Sequence, residues 1–259
     1  MERILIDIEK DTLAFVILVS LILGFLYSLI QLRRSNSATN FFKTDSIPLL
    51  IFSALGIPAL IDLLKVGGFA TFFSIIQLIT LTFAIISGLL SLFSKNYREK
   101  SSRWTKQLFV LLLLGGLLTA GYLTYVEISA QPVICGIDYI GCDTVQNSSY
   151  ALLLGFMPVA LLGLLGYLAI LIVWLSLRSP LKNRFPYFAY FQWGLALFGV
   201  VFSAYLTYLE VFVIHATCSW CITSAVIMNL LIWISTLDLN DYLLVKENEM
   251  DDLAEEIEE

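Results

Sequence analysis

The chain has 259 residues, of which 59% are hydrophobic and only 14% are charged. Soluble domains usually carry about 25% charged residues, so this composition favours lipid as the solvent and argues against a soluble globular domain. The net charge is −6, and there is no basic run interleaved with aromatic side chains, which argues against a nucleic-acid partner.

Seven stretches are apolar and long enough to be membrane-spanning helices, because a helix needs about 20 mostly apolar residues to cross the hydrocarbon core. We therefore predict an all-α membrane protein with about seven spans in a lipid bilayer. In chain order the spans run from Thr12 to Leu32, Ile47 to Leu64, Phe69 to Phe93, Leu108 to Ile128, Ala151 to Leu177, Tyr187 to Ile214 and Cys218 to Leu237.

Basic residues are concentrated in the loops after spans one, three and five, which alternation places on one side of the membrane. Cytoplasmic loops carry the excess of Lys and Arg, so this side should be the cytoplasm. The opposite side is then a compartment that permits disulfides. We expect an inner or plasma membrane protein whose active site faces the periplasm or the cell exterior. All four cysteines lie on that side: Cys135, Cys142, Cys218 and Cys221.

A short repeat links the two cysteine pairs. Span four ends in Tyr122-Leu-Thr-Tyr-Val-Glu127, and span six ends in Tyr205-Leu-Thr-Tyr-Leu-Glu210, 83 residues later. Cys135 and Cys218 are also 83 residues apart. The repeat predicts two related helical hairpins that form a four-helix bundle with the cysteines at its outer mouth. We expect its tyrosines to belong to an interfacial aromatic belt.

The segment Cys218-Ser-Trp-Cys221 is a CxxC motif at the start of a helix. Cysteines at this spacing can form a disulfide, and the helix N-terminus favours a thiolate. Gly136 and Gly141 lie between the other two cysteines and predict a mobile loop that could reach the CxxC motif. Two structural disulfides or a four-cysteine zinc site would use the same residues. The neighbouring His215 would lower the thiol pKa or be an ordinary interfacial residue.

These motifs, in this order, resemble the bacterial branch of the vitamin K epoxide reductase family over about Lys106 to Leu237. The matching features are Cys135-x6-Cys142, Ser148 six residues later, the segment Gly155-Phe-Met-Pro158 and Cys218-x2-Cys221. The resemblance implies a four-helix bundle around a quinone, either ubiquinone or menaquinone. The quinone pocket should be apolar, and we expect the aromatic Phe156 in its wall.

The resemblance also implies an order for the cysteines. Cys135 would take electrons from a reduced thioredoxin-fold protein on the outer side, and Cys142 would relay them by attacking Cys218. Cys221 would then reduce the quinone. Ser148 would be the family's loop serine near the active site, although a helix cap before span five is the alternative. Enzymes that act on vitamin K epoxide typically have tyrosine where this chain has Ala225, which favours a plain quinone.

The predicted spans and the resemblance divide the chain into three regions. Residues 1–100 would form a three-span membrane region of unknown role, residues 101–238 the catalytic bundle, and residues 239–259 an acidic cytoplasmic tail without fixed structure. No metal site is predicted among the functional residues. Two other classes of function stay open, namely a membrane scaffold or assembly factor with structural disulfides, and a transporter. The transporter is disfavoured because charge in the middle of the membrane is scarce: Asp62 is the main candidate, and it lies near the end of span two.

Overall fold

The computed structural model describes residues 12–34, 97–133, 139–153, 155–178 and 187–258. These ranges contain six α-helices, a two-stranded hairpin before α4 and a π-helical turn that continues α5. The elements are α1 (Thr12–Arg34), α2 (Tyr97–Ser129), α3 (Tyr139–Gln146), β1 (Leu152–Leu153), β2 (Met157–Pro158), α4 (Val159–Arg178), α5 (Phe188–Leu209), the π-helical turn (Glu210–Ile214) and α6 (Ser219–Glu258).

Four of these helices are long and apolar enough to cross a membrane, and they confirm predicted spans four to seven. The segments are Lys106–Ser129, Val159–Arg178, Phe188–Ile214 and Ser219–Leu239. The second begins later than the predicted Ala151, because the chain first forms the β1–β2 hairpin. Gly155 has φ +79°, a left-handed conformation that glycine adopts readily, and it turns the chain between the two strands.

The three additional N-terminal spans are not supported by the structure. The predicted second and third spans lie outside the described residues. The predicted first span overlaps α1, whose apolar stretch Ile17–Ile30 is shorter than the about 20 residues that a crossing requires. The described part of the chain therefore has four candidate spans rather than seven.

Helix α1 packs against α5 and α6 of the bundle. Ser20, Gly24 and Ser28 recur at every fourth position, which puts small residues on one helix face. The Asn229 side-chain amide donates a hydrogen bond to the Ser20 carbonyl at 3.3 Å, and the Ser28 and Thr236 hydroxyls are 2.9 Å apart. These two contacts run in the same order along both helices, so α1 is parallel to α6.

The core of the bundle is built by α2, α4, α5 and α6 with one face of α1. Close packing depends on Gly116 of α2, where a Cβ atom would lie only 2.2 Å from Cε1 of the Tyr167 ring. Tyr167 is 1% exposed, and its hydroxyl group bonds the Ser224 carbonyl oxygen at 3.1 Å. The ring therefore has little freedom to move away. Other large buried side chains are Leu21, Phe109, Leu113, Ile170, Leu231 and Ile232.

Gly116→Ala should destabilise the bundle by about 1–3 kcal/mol, the usual cost of overpacking a close-packed core. The midpoint of thermal or denaturant unfolding of the purified protein measures this effect. Gly121→Ala is the matched control on the same helix, because nothing lies within 4 Å of the position that its Cβ would take. Equal midpoints for the two variants would show that the Gly116–Tyr167 contact is not tight.

Helix α6 continues beyond the membrane-spanning part to Glu258. The acidic tail that composition suggests to be without fixed structure is thus helical over its described residues. Its sequence is rich in Leu and Glu, which have high helix propensity, and this local preference explains the continuation.

Candidate active site

Three of the four cysteines lie in the described residues, and the fold brings them to one end of the bundle. Cys142 lies on α3, Cys218 directly precedes α6, and Cys221 lies in the first turn of α6. Cys142 is disulfide-bonded, whereas Cys218 and Cys221 are free. Cys135 lies outside the described residues. Cys142 and Cys218 are 1% and 0% exposed and belong to one apolar cluster with Leu123, Val126, Val133 and Trp220.

Helix α3 lies directly against the segment that leads into α6. A Cβ atom at Gly141 would be 2.8 Å from the Thr217 carbonyl oxygen, so only glycine allows this approach. The Cys142 sulfur is consequently 3.9 Å from the Ser219 hydroxyl oxygen. Gly141 and Cys142 are thus part of a packed helix, not of the mobile loop that the glycine spacing suggests. Gly136 lies outside the described residues.

The environment of Cys218 favours its thiolate. The Cys221 side chain donates a hydrogen bond to it and is the main reason why the pKa of Cys218 lies below its ordinary value. The Cys221 N–H, 3.4 Å from the Cys218 sulfur, and the Trp220 N–H add to this effect, while burial opposes it. His215 is exposed and is not among the causes, so the suggestion that it lowers this pKa is not supported.

The lowered pKa predicts that the Cys218 thiolate persists as the pH falls below about 8.5, the ordinary cysteine value. Ultraviolet thiolate absorbance of the reduced protein, in a variant without Cys135 and Cys142, should show a transition below that pH. Replacing Cys218 by serine in the same background should remove the transition. A first transition at or above pH about 8.5 would contradict the hydrogen-bonded thiolate.

The repeat tyrosines do not share one environment. Tyr125, Tyr205 and Tyr208 are 67%, 51% and 48% exposed, as an interfacial belt requires. Tyr122 is instead partly buried, and its ring centroid lies 4.7 Å from that of Trp220 within the CxxC motif. Tyr122 therefore packs on the motif and helps to fix its position.

A cavity of about 150 Å³ lies between α2, α4, α5 and α6. One water needs only about 10–15 Å³ on the same measure, so the space suits a larger ligand. Cys221 lines the cavity, whereas Cys218 does not. The two cysteines of the motif thus differ in one respect: both pack in the apolar cluster of Cys142, and only Cys221 also lines the cavity. Much of the wall is apolar and includes Leu123, Leu162, Ile170, Phe198, Phe202 and Met228.

Besides Cys221, two residues are predicted to bind the ligand, Ser148 and Phe156, and their positions differ. Ser148 lines the cavity, and its hydroxyl donates a hydrogen bond to the Val145 carbonyl at 2.7 Å, directly after α3. It is not a cap of the following membrane helix, which begins at Val159. Phe156 is 73% exposed and does not line the cavity. The expectation that it forms part of the wall is not met, because it lies in the turn between β1 and β2.

The two glutamates of the repeat occupy equivalent sites. Glu127 at the end of α2 accepts a hydrogen bond from the Ala160 N–H, in the first turn of α4. Glu210 after α5 accepts one from the Cys218 N–H at 3.2 Å, directly before α6. Each carboxylate therefore caps the second helix of its own hairpin, where the helix dipole favours negative charge. Both glutamates also line the cavity.

The threonines of the repeat behave alike as well. The Thr124 hydroxyl donates to the Ala120 carbonyl at 2.7 Å, and the Thr207 hydroxyl donates to the Ser203 carbonyl at 2.9 Å. The sequence alone gives no strong reason to assign the two glutamates to the site, because a carboxylate near the membrane interface costs little. Their shared position in the repeat is the signal that could have identified them.

The cavity fits a ligand with an apolar ring system and a few polar atoms. Binding sites for such ligands combine an apolar wall with few polar groups, as here. Oε2 of Glu127 is buried and has no hydrogen-bond partner among the described residues, so a polar ligand atom could satisfy it. The residues present are therefore compatible with a quinone.

Comparison with known proteins agrees with this chemistry. A family model described as the Vitamin K epoxide reductase family matches residues 106–236, which is half of the chain. The matched segment contains all four cysteines, both repeat glutamates and the four candidate spans, apart from the last three residues of the fourth. No solved structure matches the chain.

Proposed function

The chain belongs to the vitamin K epoxide reductase family, and on that premise we propose that it oxidises a thioredoxin-fold partner at the expense of a quinone. Family members are membrane oxidoreductases with quinone-linked disulfide chemistry, and this chain is accordingly a multi-pass membrane oxidoreductase. The observation that supports the proposed electron path best is the division of the CxxC motif. Cys218 is buried in the apolar cluster with Cys142, whereas Cys221 is partly buried, packs against that cluster and also lines the cavity.

The outer steps are thiol–disulfide exchanges. A thiolate of the reduced partner attacks the Cys135–Cys142 disulfide, a second partner thiol resolves the mixed disulfide, and the partner leaves oxidised. The Cys142 thiolate then attacks Cys218 of the oxidised CxxC motif, and Cys221 leaves as a thiolate. Cys135 resolves the Cys142–Cys218 bond. The outer pair is thereby reoxidised, and two electrons reside in the Cys218/Cys221 dithiol.

The inner site is the cavity beside Cys221. A quinone bound there would accept two electrons and two protons. Ser148 and Glu127 would supply polar contacts to it, and the apolar wall would exclude water. Cys221 would hold the reacting sulfur at the cavity wall, while Glu210 and the first turn of α6 fix the backbone at Cys218.

A plain quinone is the proposed acceptor rather than vitamin K epoxide. Ala225 stands at the position of the family tyrosine, and alanine has no hydroxyl group to offer an epoxide. It is 2% exposed and does not line the cavity. The basic loops support an active site on the periplasmic or exterior side of the cell membrane. Ubiquinone and menaquinone are both compatible with an apolar cavity.

The purified protein, reconstituted with ubiquinone or menaquinone, tests the proposed function. Addition of a reduced thioredoxin-fold protein should form one quinol for every two partner thiols consumed. Without quinone, the four cysteines should accumulate as thiols and turnover should stop. Cysteines that stay oxidised when quinone is absent and donor is present would instead support the structural-disulfide scaffold.

Gly141→Ala should slow electron transfer between the two cysteine pairs by at least about tenfold, because small displacements of reacting groups are costly. The added methyl group would collide with the Thr217 carbonyl and separate α3 from the CxxC motif. Stopped-flow measurement of CxxC reduction by the partner reports this step. Gly194→Ala is the control, since a Cβ there would have nothing within 4 Å. Equal rates in Gly141→Ala and Gly194→Ala would show that the close contact between Gly141 and the Thr217 carbonyl does not limit electron transfer.

A further inference from the structure

The two repeat glutamates have the same place in their hairpins but different surroundings. We propose that Glu127 is a binding residue for the polar head of the cavity ligand, whereas Glu210 is a positioning residue for the CxxC motif. The ligand class is a cyclic diketone or the corresponding diol, and the inference rests on the proposed function. It assigns separate tasks to two carboxylates that the repeat makes equivalent in sequence.

Glu210 is committed to the cysteines. It is 3% exposed, and its Oε2 accepts the Cys218 N–H hydrogen bond at 3.2 Å. Its carboxylate is also within hydrogen-bonding reach of the Cys221 thiol. Glu210 thus contacts both residues of the motif and can fix their relative position.

Glu127 has no cysteine partner of this kind within the described part of the chain. Its carboxylate meets the Ala160 N–H, and its Oε2 is buried without a hydrogen-bond partner there. Six buried side-chain atoms have no partner among the described residues, and only the Glu127 atom belongs to a residue that lines the cavity. Such an atom is costly to bury unless a ligand or a proton satisfies it.

Other polar groups of the cavity wall already have partners. The Ser148 hydroxyl donates to the Val145 carbonyl, the Thr207 hydroxyl donates to the Ser203 carbonyl, and the Tyr167 hydroxyl is 3.0 Å from the Ser224 hydroxyl. A ligand that enters the cavity would have to compete with these bonds. Glu127 offers an oxygen without such competition.

A carboxyl group suits both redox forms of this ligand class. When protonated, it can donate a hydrogen bond to a ring carbonyl, and when ionised, it can accept one from a ring hydroxyl. Glu127 could therefore keep its contact when the ligand changes from diketone to diol. This versatility distinguishes it from a group that only donates or only accepts.

Ligand binding and thiol chemistry can be measured separately, without turnover. Binding of a short-chain ubiquinone analogue, followed by quenching of tryptophan fluorescence, should weaken about tenfold in Glu127→Leu, the loss of one good hydrogen bond. Glu127→Gln retains donor and acceptor atoms and should bind within about threefold of the unaltered protein. If leucine is not tolerated in folding, Glu127→Ala makes the same removal with less volume.

The thiol chemistry is compared between Glu127→Leu and Glu210→Gln. The reduction potential of the Cys218–Cys221 pair, measured against a glutathione redox buffer, should be unchanged in Glu127→Leu and shifted in Glu210→Gln. Unaltered affinity in both Glu127→Leu and Glu127→Ala would overturn the inference, and so would a potential shift in Glu127→Leu as large as in Glu210→Gln. If the unaltered protein binds neither the ubiquinone analogue nor a short-chain menaquinone analogue, the proposed function itself fails, which separates the two outcomes.

Discussion

Cys221→Ala is expected to abolish quinone reduction with every thiol donor, small or protein-sized. Among the described cysteines, Cys221 alone lines the cavity, whereas Cys142 and Cys218 are buried in the apolar cluster beside it. With Cys221 removed, no sulfur of the CxxC motif reaches the ligand. Loss of a residue that performs the chemistry typically costs at least about 1000-fold in rate. Quinol formation measured with dithiothreitol as donor gives the result directly.

Folding and ligand binding provide the controls for Cys221→Ala. The variant should keep its unfolding midpoint within a few degrees and bind the ubiquinone analogue nearly as well, because a thiol contributes little to an apolar wall. Turnover with dithiothreitol at more than a small fraction of the original rate would sink the assignment of Cys221. Cys218 would then have to be the residue that reduces the acceptor.

Cys142→Ala is expected to separate the two kinds of donor. Turnover with the thioredoxin-fold partner should fall at least about 100-fold, because the relay to the CxxC motif is missing. Turnover with dithiothreitol, which can reduce the Cys218–Cys221 disulfide directly, should stay within about threefold. The basis is the position of Cys142, whose sulfur is 3.9 Å from the Ser219 hydroxyl within the motif.

Cys135→Ala is the companion variant in this comparison. It should lose exchange with the partner in the same way and should also retain turnover with dithiothreitol. Equal losses with both donors, in either variant, would mean that the outer pair supports the fold of the site rather than the relay of electrons.

The helices of the catalytic region and the grouping of the cysteines could be predicted from sequence because both depend on local features. Apolar run length identifies the four helices that the structure confirms. The spacing of the CxxC motif and its place before a helix indicate the thiolate at Cys218. The shared distance from each repeat to Cys135 and Cys218 predicts that the two pairs lie together. Cys142, Cys218 and Cys221 do lie at one end of the bundle, while Cys135 is outside the described residues.

Details that depend on contacts between distant residues could not be predicted. Gly141 suggests flexibility in the sequence, yet it is needed because α3 meets the Thr217 carbonyl. Phe156 is an aromatic residue beside a membrane helix, but the turn at Gly155 places it outside the cavity. Likewise, Tyr122 and Tyr205 are equivalent in the repeat, and only the former packs on Trp220.

The electron path through Cys142 and Cys218 is tested most directly by trapping their mixed disulfide. In Cys221→Ala, the Cys218 thiolate attacks Cys142 of the outer disulfide and releases the Cys135 thiol, and alkylation of that thiol with N-ethylmaleimide prevents it from resolving the Cys142–Cys218 bond, which should then accumulate. Peptide mapping by mass spectrometry under non-reducing conditions identifies the linked residues. We expect a Cys142–Cys218 peptide pair as the main species. A Cys135–Cys218 pair, or no bond to Cys218 at all, would contradict the proposed path.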